Sequence, residues 1–195
     1  MSIDPGVREI ATRVIKNAQW ASLYLAYFEG SNRFLRSHHP NLGGDAHELL
    51  NVLDRGLPRL SALCLCRLWD LPKTDRHSLP ALLAHVSFAK RAGLSDPSFV
   101  KDCRRLLNGD LLSRLREFRK TDLAHNLPIE GLSGGFTVDQ LRAALRETHI
   151  VVDRMVAILK LPNVRQDEIF RDKLENCTQF WRLVEPRVRI KRAAA

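Results

Sequence analysis

Apolar residues recur at intervals of three and four along almost the whole chain, the spacing that gathers them on one face of an α-helix. The first such stretch opens at Asp4-Pro5 and carries Val7, Ile10, Val14, Ala18, Ala21, Leu25 and Phe28. Asp4 is suited to cap it, with Pro5 in the first turn. Gly30-Ser31-Asn32 predicts a break or bend, followed by a short segment over 33–38 and a loop over 40–44. A second long helix is predicted over 46–70, through Leu49, Leu50, Leu53, Leu57, Leu60, Leu63, Leu68 and Trp69. Gly56 and Pro58 predict a kink near residue 55, because Pro58 has no N–H to donate.

Shorter periods follow. Residues 71–75 read as a loop. Ser78 caps a helix with Pro80 in its first turn, running through Leu82, Leu83, Val86 and Phe88 and ended by Gly93. Asp96-Pro97 restarts a helix that Asn108-Gly109 stops near Leu107. Asp110 caps a helix with the stripe Leu111, Leu112, Leu115, Phe118, Leu123 and Ala124, closed by Leu127-Pro128. Residues 131–135 form a loop. Thr137 caps a long helix carried by Val138, Leu141, Ala144, Leu145, Ile150 (with Thr148), Val152, Met155, Ile158 and Leu159 to residue 161, and Pro162-Asn163 breaks it. The last helix is expected over 166–184, with Ile169, Phe170, Leu174, Phe180, Trp181 and Val184 as its face. No strand pattern and no internal repeat compete with these. The reading is an all-α bundle of four long helices with short helical insertions. It forms one domain over 5–185 with a basic tail over 186–195.

Composition adds a partner class. The chain has 195 residues, 45% of them hydrophobic, enough for a real core. Lys and Arg number 31 against 22 Asp and Glu, a net charge of +9. That excess attracts polyanions, nucleic acid foremost, and it clusters over 101–120 and again at Arg187, Arg189, Lys191 and Arg192. The four cysteines, Cys64, Cys66, Cys103 and Cys177, make no Cys-x-x-Cys. Cys64 and Cys66 on one helix point about 200° apart, so the thiols read as buried and reduced, in keeping with a cytoplasmic protein. A zinc site from Cys64, Cys66, His38, His39 and His47 has the wrong spacing. The longest apolar run, over 20–28, is far short of the ~20 residues that span a bilayer, so no membrane partner is expected.

The candidate chemistry lies in Arg119-Lys120-Thr121-Asp122-Leu123-Ala124-His125, followed by Asn126-Leu127-Pro128. Imidazole can take the 2′-hydroxyl proton of RNA near neutral pH. Guanidinium offers a planar fork to a phosphate on which charge develops. On one regular helix, six residues separate the pair by about 9 Å of rise and about 120° of direction. The two therefore meet only if the helix unwinds before Pro128, or if two chains meet on a twofold axis. An arginine and a histidine at this spacing also occur without any catalytic role, the histidine simply complementing a helix C-terminus. His38, His39, His77, His85 and His149 read as structural or solvated, and Trp69 and Trp181 as core residues rather than base-stacking ones.

The stretch Leu115-Arg116-Glu117-Phe118-Arg119 through Ala124-His125 resembles the Arg-x(4–6)-His signature of the HEPN superfamily. Leu63 to Asp70, followed by a short loop and Ser78-Leu79-Pro80-Ala81-Leu82-Leu83, is similar to the second and third helices of its abortive-infection (AbiU-like) branch. The resemblance covers about residues 10–160. It implies a HEPN-like up-and-down helical bundle, a homodimer with both motifs in one composite cleft, and a metal-independent endoribonuclease of toxin–antitoxin or phage-defence type. It implies no cofactor, and an antitoxin protein as a further partner. Arg119 and His125 become the catalytic pair, and Arg114, Arg116, Lys120 and Asn126 become RNA-binding residues. Lys120 stands where a short polar residue is common. Leu127 stands where one sub-branch carries a tyrosine modified by a nucleotidyltransferase, which argues against that sub-branch. Two other readings remain: a non-catalytic helical dimer that binds RNA or a protein partner, and a bundle that binds a small molecule or nucleotide.

Overall fold

The computed structural model describes residues 3–38, 44–120, 136–162 and 165–193. Eight helices fill them, with no strand among the described residues: α1 (Pro5–His38), α2 (Gly44–Trp69), α3 (Leu79–Ala84), α4 (Val86–Ser95), α5 (Phe99–Leu107), α6 (Asp110–Phe118), α7 (Val138–Leu159) and α8 (Gln166–Ala193). The four long helices are α1, α2, α7 and α8. The short α3 to α6 are inserted between α2 and α7. The chain is thus the all-helical bundle that its periodicity predicts. Among the described residues no helix is long and apolar enough to cross a membrane.

α1 lies at the centre, packed against α2, α7 and α8. Asp4 caps it, its carboxylate accepting from the backbone N–H of Gly6 and Val7. Its inner positions Val7, Ala11, Val14, Ala18, Ala21 and Leu25 are all buried. Three of these six are alanine, and small residues let neighbouring helices come close. On the α2 side the hydroxyl of Ser61 donates to the carbonyl of Ala21 at 2.8 Å.

The expected break at Gly30 does not occur. α1 runs unbroken from Pro5 to His38. Gly30 serves packing instead: a Cβ there would lie 2.7 Å from Sγ and 2.9 Å from Cβ of Cys177 on α8. The missing side chain lets the two helices approach, and Trp181 completes the contact. Its ring stacks on Phe34 with centroids 4.8 Å apart, and its indole N–H donates to Ser31. Gly30→Ala should therefore destabilise by about 1–3 kcal/mol through overpacking, although alanine is the better helix former. Gly56 in α2 meets nothing within 4 Å. Gly56→Ala should stabilise by up to about 1 kcal/mol. Urea denaturation of the two variants reads the opposite signs, and equal signs would refute the packing argument.

Other boundaries move for local reasons. α2 continues through Pro58 to Trp69. The helix expected from Ser78 to Gly93 is two helices, parted where His85 takes an extended conformation (φ −74°, ψ 118°). Ser78 does cap α3, accepting from the N–H of Ala81. Gly93 lies inside α4, which ends two residues later. Gly109, not Asp110, occupies the cap position of α6, and Asp110 begins the helix. Thr137 and Gln140 form a reciprocal capping box at the start of α7. Lys160 ends α7 in the left-handed conformation at φ 52°. α8 extends past Val184 to Ala193, so Arg187, Arg189, Lys191 and Arg192 fall within a helical stretch.

Arg154 ties α7 to the start of α5. Its guanidinium bonds both oxygens of Asp96, Oδ2 of Asp102 and the hydroxyl of Ser98, and lies over the Phe99 ring. Those bonds hold the Asp96 and Asp102 carboxyls below the usual carboxylate range. Arg154→Met removes the shared partner and leaves two acids facing each other. It should lower the melting temperature, and the loss should be larger at 20 mM than at 500 mM salt, because screening weakens both the lost attraction and the new repulsion.

Candidate functional site

The site begins with a buried tryptophan. Trp69 is the last residue of α2 and is 1% exposed. Its indole N–H donates to Oγ1 of Thr148 on α7 at 3.0 Å, and that hydroxyl donates to the carbonyl of Ala144. This anchor fixes where α2 stops. The next residue, Asp70, is 8% exposed and stands just past the C-terminal end of α2. The carbonyl end of a helix repels a carboxylate. A buried acid there needs a cation, and Arg119 supplies it.

Arg119 follows α6 directly and is still helical (φ −59°, ψ −43°). α6 is held by Leu112, Leu115 and Phe118, all buried, with Phe118 stacked on Phe136. From that base the Nη1 of Arg119 donates to Oδ2 of Asp70. The hydrogen bond it donates to Asp70 holds the guanidinium still further above its ordinary range, against the opposing effect of burial. The Arg119 side chain remains 36% exposed while Asp70 is almost covered. The result is a fixed guanidinium with part of its surface open to solvent. Cys66 lies one turn before Asp70, its thiol donating to the carbonyl of Leu115 at 3.5 Å. Burial pushes that thiol up to about 12, so it stays protonated and takes no part as a nucleophile.

The other basic residues singled out from the sequence divide into two kinds. Arg114 and Lys120 are largely exposed, each beside an acid of its own helical stretch: Nε of Arg114 is 2.8 Å from Asp110, and Nζ of Lys120 is 3.5 Å from Glu117. Exposed pairs of this kind are weak and exchange readily for a phosphate. Arg116 turns inward. Its Nη2 donates to the carbonyl of Leu107 at the end of α5, and its Nε is buried without a partner. It braces α6 against α5. His125 and Asn126 lie outside the described residues, so the described site contains the arginine of the motif and not its histidine.

Asp70 is the residue that sequence reasoning missed. The signal was present: an acid directly after a core tryptophan at a helix C-terminus, where the dipole disfavours it. Three other histidines have side-chain neighbours among the described residues. Nε2 of His77 is 3.2 Å from Glu9, and Nε2 of His85 is 3.8 Å from Asp4. His149 is buried, with Nε2 2.7 Å from Oγ of Ser22. The hydroxyl proton of Ser22 goes to the carbonyl of Ala18, so His149 is the donor through Nε2. All four cysteines are free, and burial raises each thiol. Among the described residues no group of three or more His, Cys, Asp or Glu is placed to hold a metal ion. Comparison of the chain with protein families, with curated proteins and with solved structures found no match.

Proposed function

We propose that this chain is an endoribonuclease of the HEPN type, which cleaves RNA by attack of the RNA's own 2′-hydroxyl and needs no metal ion for that step. The observation that supports this most is the fixed, partly open guanidinium of Arg119, held by Asp70 at the end of α6. Such a group is in place before the substrate arrives, and preorganised charge is what stabilises a developing phosphorane. His125, six residues on, takes the 2′-hydroxyl proton and returns a proton to the leaving 5′-oxygen. The products are a 2′,3′-cyclic phosphate and a 5′-hydroxyl. Arg114 and Lys120 contribute electrostatic attraction to the RNA backbone, in line with the net charge of +9. A homodimer places two copies of the motif in one cleft and removes the directional mismatch of a single helix. An antitoxin protein is the partner that this reading adds, and toxin–antitoxin or phage defence is the setting.

The test is cleavage of single-stranded RNA by purified protein in EDTA, with the new ends analysed. His125→Ala and Arg119→Ala should each lose about 100-fold or more in rate. Undiminished cutting by His125→Ala would sink the proposal. Asp70→Asn keeps the shape of the pair but loosens the guanidinium, so it should retain fold and RNA binding while cutting more slowly.

A second reading is favoured by the same ion pair. Because Asp70 is almost buried, the Arg119–Asp70 contact can serve simply to fasten α6 to α2 in a non-catalytic protein that binds RNA or a protein partner. Its signature is a wild-type protein that binds RNA without cutting it. Arg119→Ala then costs stability, and most of that loss is recovered when Asp70→Asn removes the stranded charge.

A further inference from the structure

A second polar constellation lies away from Arg119 and Asp70, in a cleft of about 290 Å³ between α1, α7 and α8. Leu25, Leu145 and Phe170 supply its apolar wall, and His149 lies among its lining residues. The charged groups around it are nearly balanced in pairs. Arg142 binds Glu29, whose side chain is only 11% exposed, and also Asp139 outside the lining; Arg171 binds Asp167 with Nη2 3.1 Å from the carboxylate, and Arg165, outside the lining, lies 3.7 Å from the same acid. Arg146 has no carboxylate partner among the described residues and is exposed. The lining therefore carries one uncompensated positive charge.

His149 sets a further requirement. Its Nε2–H is committed to Ser22, which leaves Nδ1 as the acceptor of a neutral ring. Burial keeps the imidazole neutral, pushing it down to about 4. An acceptor beside an apolar wall asks for a hydroxyl or N–H donor on the ligand. The volume corresponds to about ten non-hydrogen atoms at the packing of liquid water. Such a site is small, mostly apolar and fitted with few polar groups, as ligand clefts are.

We infer that this cleft binds a small aromatic monocarboxylate carrying a hydroxyl donor, its ring against Leu25, Leu145 and Phe170 and its carboxylate on Arg146. The charge balance separates this ligand from a phosphate monoester. A second negative charge would approach Glu29 and Asp167, while the lining offers only Arg146 beyond its internal pairs. The site stands apart from the ribonuclease proposal, since none of its residues belongs to the Arg119 motif.

The experiment is calorimetric titration of the full chain with 4-hydroxyphenylacetate, its neutral amide and phenyl phosphate, repeated on Arg146→Gln. Arg146 is exposed, so its replacement leaves the core intact. The wild type should bind 4-hydroxyphenylacetate saturably with a Kd of about 1 mM or tighter. It should prefer that acid to the amide by about tenfold and bind phenyl phosphate no better than the acid. Arg146→Gln should lose the tenfold preference while binding the amide as before. Absence of saturable binding to the wild type overturns the inference, and so does an acid-over-amide preference that survives in Arg146→Gln.

Discussion

Trp69→Ala will lower the unfolding free energy by about 4 kcal/mol, the largest single-residue loss expected in this fold. Among the described residues Trp69 is the bulkiest side chain that is fully buried, and it lies where α2, α6 and α7 converge. Truncation removes a large aromatic surface and leaves a cavity that three helices cannot all close. It also takes away the indole donor, so Thr148 keeps its bond to Ala144 but loses its partner on α2. Trp69→Phe separates the two parts. It retains most of the apolar volume and should lose only about 1–2 kcal/mol, from the residual gap and the missing hydrogen bond. Equilibrium denaturation in urea measures both. A loss below about 2 kcal/mol for Trp69→Ala would mean that the junction is not a packed centre. The variant should also weaken the Arg119–Asp70 contact, since Asp70 takes its position from the residue before it.

Acid should destabilise the protein well before its carboxylates titrate, and His149 is the reason. Its folded value of about 4 lies below the ordinary histidine value of 6.5, chiefly because burial disfavours the cation. Between these two values the unfolded chain binds a proton that the folded chain refuses. Stability is therefore full above pH 6.5 and falls as pH drops towards 4. At 1.36 kcal/mol per pH unit the loss amounts to about 3 kcal/mol. Asp96 and Asp102, held below the usual range by Arg154, give up their contribution at still lower pH. Asp153, raised by burial, acts in the opposite direction near the lower edge of the window. The comparison that isolates His149 is stability at pH 7.5, 5.5 and 4.5 for wild type and His149→Gln. The variant should show a flatter slope, and parallel slopes would refute the assignment.

The helices were largely legible because each writes its own apolar stripe. Val7 to Leu25 on α1 and Leu141 to Leu159 on α7 are inward faces that need no knowledge of a partner. Ser78, Thr137 and Asp4 cap where local chemistry says they should. What the chain hid were features set by residues far away. Gly30 looks like a breaker until Cys177, on another helix, is seen pressed against it. His85 looks like one more helical residue, yet it takes the extended turn between two short helices. The site follows the same division. Arg119 stands out by its spacing from His125, a local signal. Asp70 does not, because its partner is 49 residues away and only the fold joins them. The hydrogen bond from Arg116 to Leu107 is equally hidden in the sequence, because it depends on how α5 meets α6.

The place of α1 has a consequence for how the protein is made. α2 follows it in the chain, so the first helical pair can form early in synthesis. The surface around Gly30, Ser31 and Phe34 waits longer for part of its cover, because that part comes from Cys177 and Trp181 of α8. At roughly 5–20 residues per second, the stretch between the end of α2 and the start of α8 delays that cover by on the order of ten seconds. During that interval a nascent chain carries an uncovered apolar seam. Ribosome-bound chains that stop before α8 should be cut readily by a protease near Phe34, and full-length chains should resist it.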